Sequence, residues 1–147
     1  MATVTDLLKI KGKDVFWISA SASVREALGL LAEKDIGALP VVEKKKLSGI
    51  FSERDFARLC ANEGCPPKKL DTLIKDVMIK DVYTVTPATK CEECMRLMTN
   101  EHIRHLPVLE KDQMVGLISI GDVVKAIISN QKAFIDQLEG YISGRRY

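Results

Sequence analysis

The sequence predicts an α/β (α+β) fold: two β-α-β-β-α repeats packed around a pseudo-twofold axis, with small mixed sheets flanked by helices. Three observations predict it. Residues 15–58 and 82–125 superimpose at an offset of 67 positions without a gap, and twelve of the 44 pairs are identical. Both copies alternate short β-prone runs with stretches of helical periodicity. Both place the same turn and cap residues at the same offsets, including Pro40/Pro107, Gly49/Gly116, Ser52/Ser119 and Asp55/Asp122. A unit of this size buries its apolar face best against its twin, so any pocket is expected twice. Residues 1–72 form the first repeat with an N-terminal helix and linker, and residues 73–147 the second with an extended C-terminal helix.

The elements follow in order. Residues 3–10 predict a short helix with Leu7, Leu8 and Ile10 apolar. Residues 15–18 are a β-prone run. Ser23 and Glu26 have capping-box spacing, and Val24, Ala27, Leu28, Leu31 and Ala32 give one apolar face over residues 24–34. Residues 39–42 and 47–51 predict two strands joined by a charged turn. The next helix runs from near Glu53 to about Glu63, where Gly64 and the pair Pro66 and Pro67 stop it. The connecting segment holds an apolar stretch, residues 73–78, able to pack. The second repeat follows suit: a strand at 82–85, a helix at 90–101, strands at 106–109 and 114–118, and a last helix from near Ile120. There Val124, Ile127, Ile128, Phe134, Ile135, Leu138 and Ile142 keep an apolar stripe that one lobe cannot cover. A second copy of the chain is the simplest cover, so a homodimer is expected.

Composition narrows the function. The chain has 147 residues, 46% apolar and 29% charged, with a formal net charge of +2. That balance is too weak to suggest nucleic acid or a membrane surface as partner. No apolar run approaches the roughly 18–20 residues that span a bilayer, and the N-terminus does not read as a secretory signal. Four cysteines in this setting point to reduced thiols and a cytoplasmic location.

One constellation carries chemistry. Gly-x-x-Ser-x-x-Asp stands at the last strand–helix junction of each repeat, as Gly49, Ser52 and Asp55 and as Gly116, Ser119 and Asp122. A helix N-terminus presents unpaired N–H groups and partial positive charge, a seat for phosphate. A carboxylate in the first turn can accept from two vicinal ribose hydroxyls. Glycine lets a flat ring approach the strand closely. Ser followed three residues later by Asp is equally plain helix-capping chemistry, and a duplicated cap would also recur.

With residues 36–42 and 103–109, each holding Leu-Pro-Val, these two motifs resemble a pair of CBS domains, a Bateman module, over about residues 1–142; the second repeat resembles small stand-alone prokaryotic members. The resemblance implies adenosine-containing ligands (AMP, ADP, ATP, NAD(H) or, less favoured, S-adenosylmethionine) in clefts between the repeats. It implies that Asp55, Asp122, Ser52 and Ser119 hold ribose. It places Ile18, Ser19, Ala20, Gly37, Ala38, Val85, Thr86, Pro87 and Pro107 along the pocket, and it implies disc-shaped dimers and a regulatory output. Arg104 and His105 can meet phosphate where the first repeat has Gly37 and Ala38, and Arg54 precedes Asp55 where the second repeat has Gly121. Two unequal pockets are therefore expected. Arg54 is either a phosphate-binding residue, as a planar permanent cation, or a solvated first-turn residue.

Cys91 and Cys94 have the spacing of redox and zinc pairs, and with Cys60 and Cys65 a four-thiolate zinc site is conceivable. They align with Val24 and Ala27 on the apolar helix face, which favours small buried hydrophobes instead. His105 has no second ligand at metal spacing, and no metal is expected. Lys68 and Lys69 read as a solvated linker. No nucleophile elbow, Walker loop or metal-ligating helix is present, so no enzyme activity is expected. The leading expectation is a nucleotide-sensing regulatory module with an unknown protein target. The alternatives are a structural or partner-binding dimerisation module without nucleotide, and a thiol redox or zinc protein.

Overall fold

The computed structural model describes residues 2–12, 14–64 and 70–142. Cys65, Pro66, Pro67, Lys68 and Lys69 lie outside the described residues. The elements are α1 (Val4–Lys11), α2 (Val24–Lys34), β1 (Ala38–Glu43), β2 (Lys46–Ser52), α3 (Glu53–Glu63), α4 (Ile74–Val77), α5 (Cys91–Glu101), β3 (His105–Glu110), β4 (Gln113–Ser119) and α6 (Ile120–Ile142).

Each repeat is built on an antiparallel hairpin, β1–β2 or β3–β4, in identical register. The two-residue turns place Lys44 and Lys45, and then Lys111 and Asp112, at positive φ, the backbone twist that two-residue hairpins prefer. A bulge follows Val41 in one hairpin and Val108 in the other. Ser23 caps α2 by accepting from Glu26 N. Asp35 and His102 end α2 and α5 in the left-handed conformation.

The leading strands expected at 15–18 and 82–85 are much shorter than their sequence suggests. Each reduces to one parallel bridge, Ile18 to Val41 and Val85 to Val108. Ile18 N donates to Pro40 O (3.1 Å) and Val42 N to Ile18 O (3.0 Å), and the second repeat copies the pattern. Phe16 and Trp17 stay exposed beyond that bridge, so a longer ladder would bury nothing.

Two apolar clusters form the core, and the chain crosses between them. Helix α1, which precedes the first repeat, buries Val4, Leu7 and Leu8 among Val85, Cys91, Cys94, Met98, Leu106, Val108 and Ile118 of the second. Helix α4, which precedes the second repeat, buries Ile74 among Val24, Ala27, Leu31, Leu39, Val41 and Phe51 of the first. Backbone bonds fix both docks: Val4 N to Thr89 O and Cys91 N to Ala2 O on one side, Val24 N to Thr72 O and Ile74 N to Ala22 O on the other. Each half is thus completed by the segment that leads into the other. Among the described residues no helix is long and apolar enough to cross a membrane.

Candidate functional site

The two Ser/Asp pairs cap their helices in the same way. Ser52 Oγ accepts from Asp55 N (3.2 Å), while Asp55 Oδ2 accepts from Ser52 N (3.0 Å) and Ser52 Oγ (2.8 Å). Ser119 Oγ accepts from Asp122 N (3.2 Å), and Asp122 Oδ2 accepts from Ser119 N (2.8 Å). The next amides are also used: Glu53 N donates to Gly37 O and Ile120 N to Arg104 O. Protein groups therefore take three of the four first-turn amides of α3 and of α6, which narrows the phosphate seat expected there. A carboxylate still has spare acceptor capacity after such a cap, so capping and ribose holding are compatible at Asp55.

Both carboxylates border clefts between the repeats. The first cleft, about 420 Å³, joins Ser52, Arg54, Asp55 and Arg58 of α3 and its cap to Arg104 and His105 of the second repeat. Ile50, Ile79 and Ile103 supply apolar surface there. The second cleft, about 300 Å³, joins Ser119 and Asp122 to Gly37 and Ala38 of the first repeat, with Val15, Phe16 and Ile36. Each cleft thus takes its acid from one repeat and its facing wall from the other. Gly37, Ala38 and His105 border both clefts, and a Cβ on Gly37 would sit 3.4 Å from the His105 ring.

This crossing sets the charge of each cleft. Arg54, Arg58 and Arg104 face Glu53 and Asp55 in the first, leaving it cationic. Among the described residues the second holds Lys11 against Asp14, Asp35 and Asp122, an acidic excess. Arg54 Nη1 reaches the His102 carbonyl at 3.4 Å, bracing α3 against the end of α5. The sequence offers His105 as a group able to meet phosphate, which a neutral imidazole can also do by donating a hydrogen bond. Burial pushes its imidazole below the ordinary value, Lys11 and Arg104 push it further, and Asp122 opposes them. It is a neutral hydrogen-bonding group near pH 7. Burial alone would raise the Asp122 carboxyl, but bonds from Lys11 and Ser119 hold it below the usual value.

The remaining pocket candidates lie elsewhere. Ile18 is buried under β1. Ser19 Oγ and Ala20 N both donate to Glu43 Oε1, holding that carboxyl below its ordinary range. Val85 is core and donates to the carbonyl of buried Pro107. Thr86 N bonds Thr89 Oγ1, and the Pro87 carbonyl accepts from Thr5. None of these seven lines either cleft.

Gly49 and Gly116 also do different work from that expected. The space above Gly49 is filled by Met78 and the Ile79 carbonyl, and above Gly116 by Leu8, so each glycine admits the crossing segment rather than a ring. Sequence reasoning missed Lys11, Arg58, Phe16 and Ile79. Lys11 lies on a crossing segment that corresponds to its counterpart at an offset of 70, Leu8 matching Met78, so the 67-residue repeat does not reveal it.

Cys91 and Cys94 are fully buried on α5 and are free thiols. Burial pushes the Cys94 thiol up to about 11, with Cys91 and Glu93 adding to it; burial and Glu92 raise Cys91. Neither forms a thiolate near neutral pH, which opposes the redox reading. Among the described residues no group of His, Cys, Asp or Glu could hold a metal.

A duplicated α/β module whose halves share two acid-bordered clefts is the class these features define. The family model described as "CBS domain" matches residues 4–62 and 74–129, and the chain belongs to that family. It is 36% identical over 151 residues to the CBS domain-containing protein CBSX3, mitochondrial, of Arabidopsis thaliana, spanning 97% of this chain and 72% of the relative. Among solved structures, the CBS domain protein NE2398 is 42% identical with a TM-score of 0.80, covering 86% of this chain and 98% of its own. CBSX2, solved in complex with AMP, is 28% identical with a TM-score of 0.74, covering 89% and 99%.

Proposed function

We propose that this protein is a regulatory module that binds an adenosine-containing ligand between its repeats and signals by changing how they, or two copies of the chain, pack. The observation that carries this reading is the first cleft. It sets a ribose-competent carboxylate, Asp55, beside Arg54, Arg58 and Arg104, which suit phosphate oxygens. The AMP complex of the related CBSX2 supports the ligand class. AMP, ADP, ATP and NAD(H) fit the cationic cleft better than S-adenosylmethionine, which carries a positive sulfonium.

Regulation requires only that the ligand prefer one arrangement of the repeats over another. The shared wall of Gly37, Ala38 and His105 gives the two clefts a direct mechanical link. Ile128, Phe134, Ile135, Leu138 and Ile142 stand exposed along α6 and suit the same face of a second copy. Free buried thiols suit a reducing compartment, the cytoplasm in our reading.

Thermal unfolding with AMP, ATP, NAD, NADH and S-adenosylmethionine tests the reading, because a ligand bound only by the folded state raises Tm. A rise with a phosphate-bearing ligand that disappears in Asp55→Ala is expected. Arg104→Ala should weaken AMP by roughly 5- to 20-fold, one partly solvated ion contact, and leave adenosine almost unchanged. No shift with any of the five ligands sinks the proposal in favour of a structural dimerisation module.

A further inference from the structure

The second cleft already contains a cation. Lys11 Nζ lies 2.6 Å from Asp122 Oδ2 and 2.6 Å from the Leu117 carbonyl oxygen. The lysine comes from the end of α1 and both its partners from the second repeat. It borders the second cleft and also a hollow of about 180 Å³ between α1 and α6 that reaches the same carboxylate. Its side chain therefore partitions the space around Asp122. The crossing segments correspond at an offset of 70, with Val4 matching Ile74 and Leu8 matching Met78, and α4 ends at Val77, before any position that would match Lys11. The bonds to Asp55 Oδ2 come from its own cap, Ser52.

We propose that Lys11 is a specificity-determining residue: a tethered cation that occupies the ribose-holding carboxylate of the second cleft and directs adenosine ligands to the first. The inference rests on the reading of the two aspartates as ribose holders. A ribose diol entering the second cleft competes with an ammonium that moves with α1 and never leaves the neighbourhood, so its effective concentration is high. The pair is partly shielded, with side-chain exposures of 35% for Lys11 and 22% for Asp122. Detaching Lys11 also frees the Leu117 carbonyl, so the ligand must replace two contacts.

Titration calorimetry of the full chain with adenosine provides the test, because adenosine offers the diol without phosphate charge. Lys11→Met keeps an unbranched side chain without the ammonium, and Lys11→Gln keeps a polar side chain without the charge. Both are expected to gain one adenosine site per chain, or to tighten a weak one by at least ~10-fold, which corresponds to about 1.4 kcal/mol. The gained site should persist in Lys11→Met/Asp55→Asn and vanish in Lys11→Met/Asp122→Asn. If neither lysine variant gains an Asp122-dependent site, the proposal is overturned. If the unaltered protein has no Asp55-dependent adenosine or AMP site, the parent reading fails instead, and the two failures are read from different variants.

Discussion

Adding one methyl group at two symmetry-related positions should have two different outcomes. Gly49 and Gly116 are equivalent residues of the repeated motif, and each has a crossing segment packed on it. A Cβ at Gly49 would lie 2.6 Å from Met78 Sδ and 2.7 Å from the Ile79 carbonyl oxygen. The sulfur can swing aside, but the carbonyl is backbone. It is also held by a reciprocal pair of bonds, Ile50 N to Ile79 O at 3.0 Å and Ile79 N to Ile50 O at 2.9 Å. Forced overpacking costs about 1–3 kcal/mol, and each strained hydrogen bond adds about 1 kcal/mol. Alanine in a strand recovers about 0.5–1 kcal/mol relative to glycine.

The net loss for Gly49→Ala is therefore about 2–4.5 kcal/mol, a fall in Tm of roughly 6–14 °C for a chain of this size. A Cβ at Gly116 meets only Leu8, at 2.9 Å from Cδ2, the far end of a side chain that can change rotamer. Its cost and the strand gain nearly cancel, within about 1 kcal/mol of neutral. Urea and thermal unfolding by circular dichroism measure both. If Gly116→Ala destabilises as much as Gly49→Ala, the account of the crossing segments is wrong. Ile50 and Ile79 also line the first cleft, so Gly49→Ala should weaken AMP binding as a second readout.

Other outcomes are expected. Ile74 is fully buried although its helix has only four residues; Ile74→Ala should lower the urea-unfolding free energy by about 3 kcal/mol, whereas a loosely tethered linker would show almost none. Cys91 and Cys94 should resist a thiol-titrating disulfide reagent at pH 8 and react in denaturant, because burial keeps them as thiols; fast native reaction of either would restore a redox role. The Asp122 carboxyl sits below its ordinary 3.8, so its stabilisation is present above that pH and is lost as pH falls through the lower folded value. The stability gap between the unaltered protein and Asp122→Asn should therefore be widest near neutrality and narrow below about pH 4. A gap that stays constant down to pH 2 would refute the Lys11–Asp122 bond.

Much of this architecture is local, and local features are legible in one dimension. The hairpins follow from β-prone runs split by two-residue turns, and the starts of α2, α3 and α6 follow from Ser23, Ser52 and Ser119. The core position of Cys91 and Cys94 follows from their alignment with Val24 and Ala27. The leading strands were overread because β propensity says nothing about whether Phe16 and Trp17 have a surface to bury against.

The sequence by itself determined that there are two equivalent halves, where their helices begin, and which carboxylates stand at those beginnings. Only the tertiary structure decided which half faces which. It put Arg104 opposite Asp55 and His105 between the two clefts, brought Lys11 to a carboxylate 111 residues away, and laid Met78 and Leu8 over the two glycines. The reason is physical: caps and turns are set by neighbours within a few residues, whereas the crossing of α1 and α4 is set by which apolar surfaces remain to be covered once each hairpin has formed.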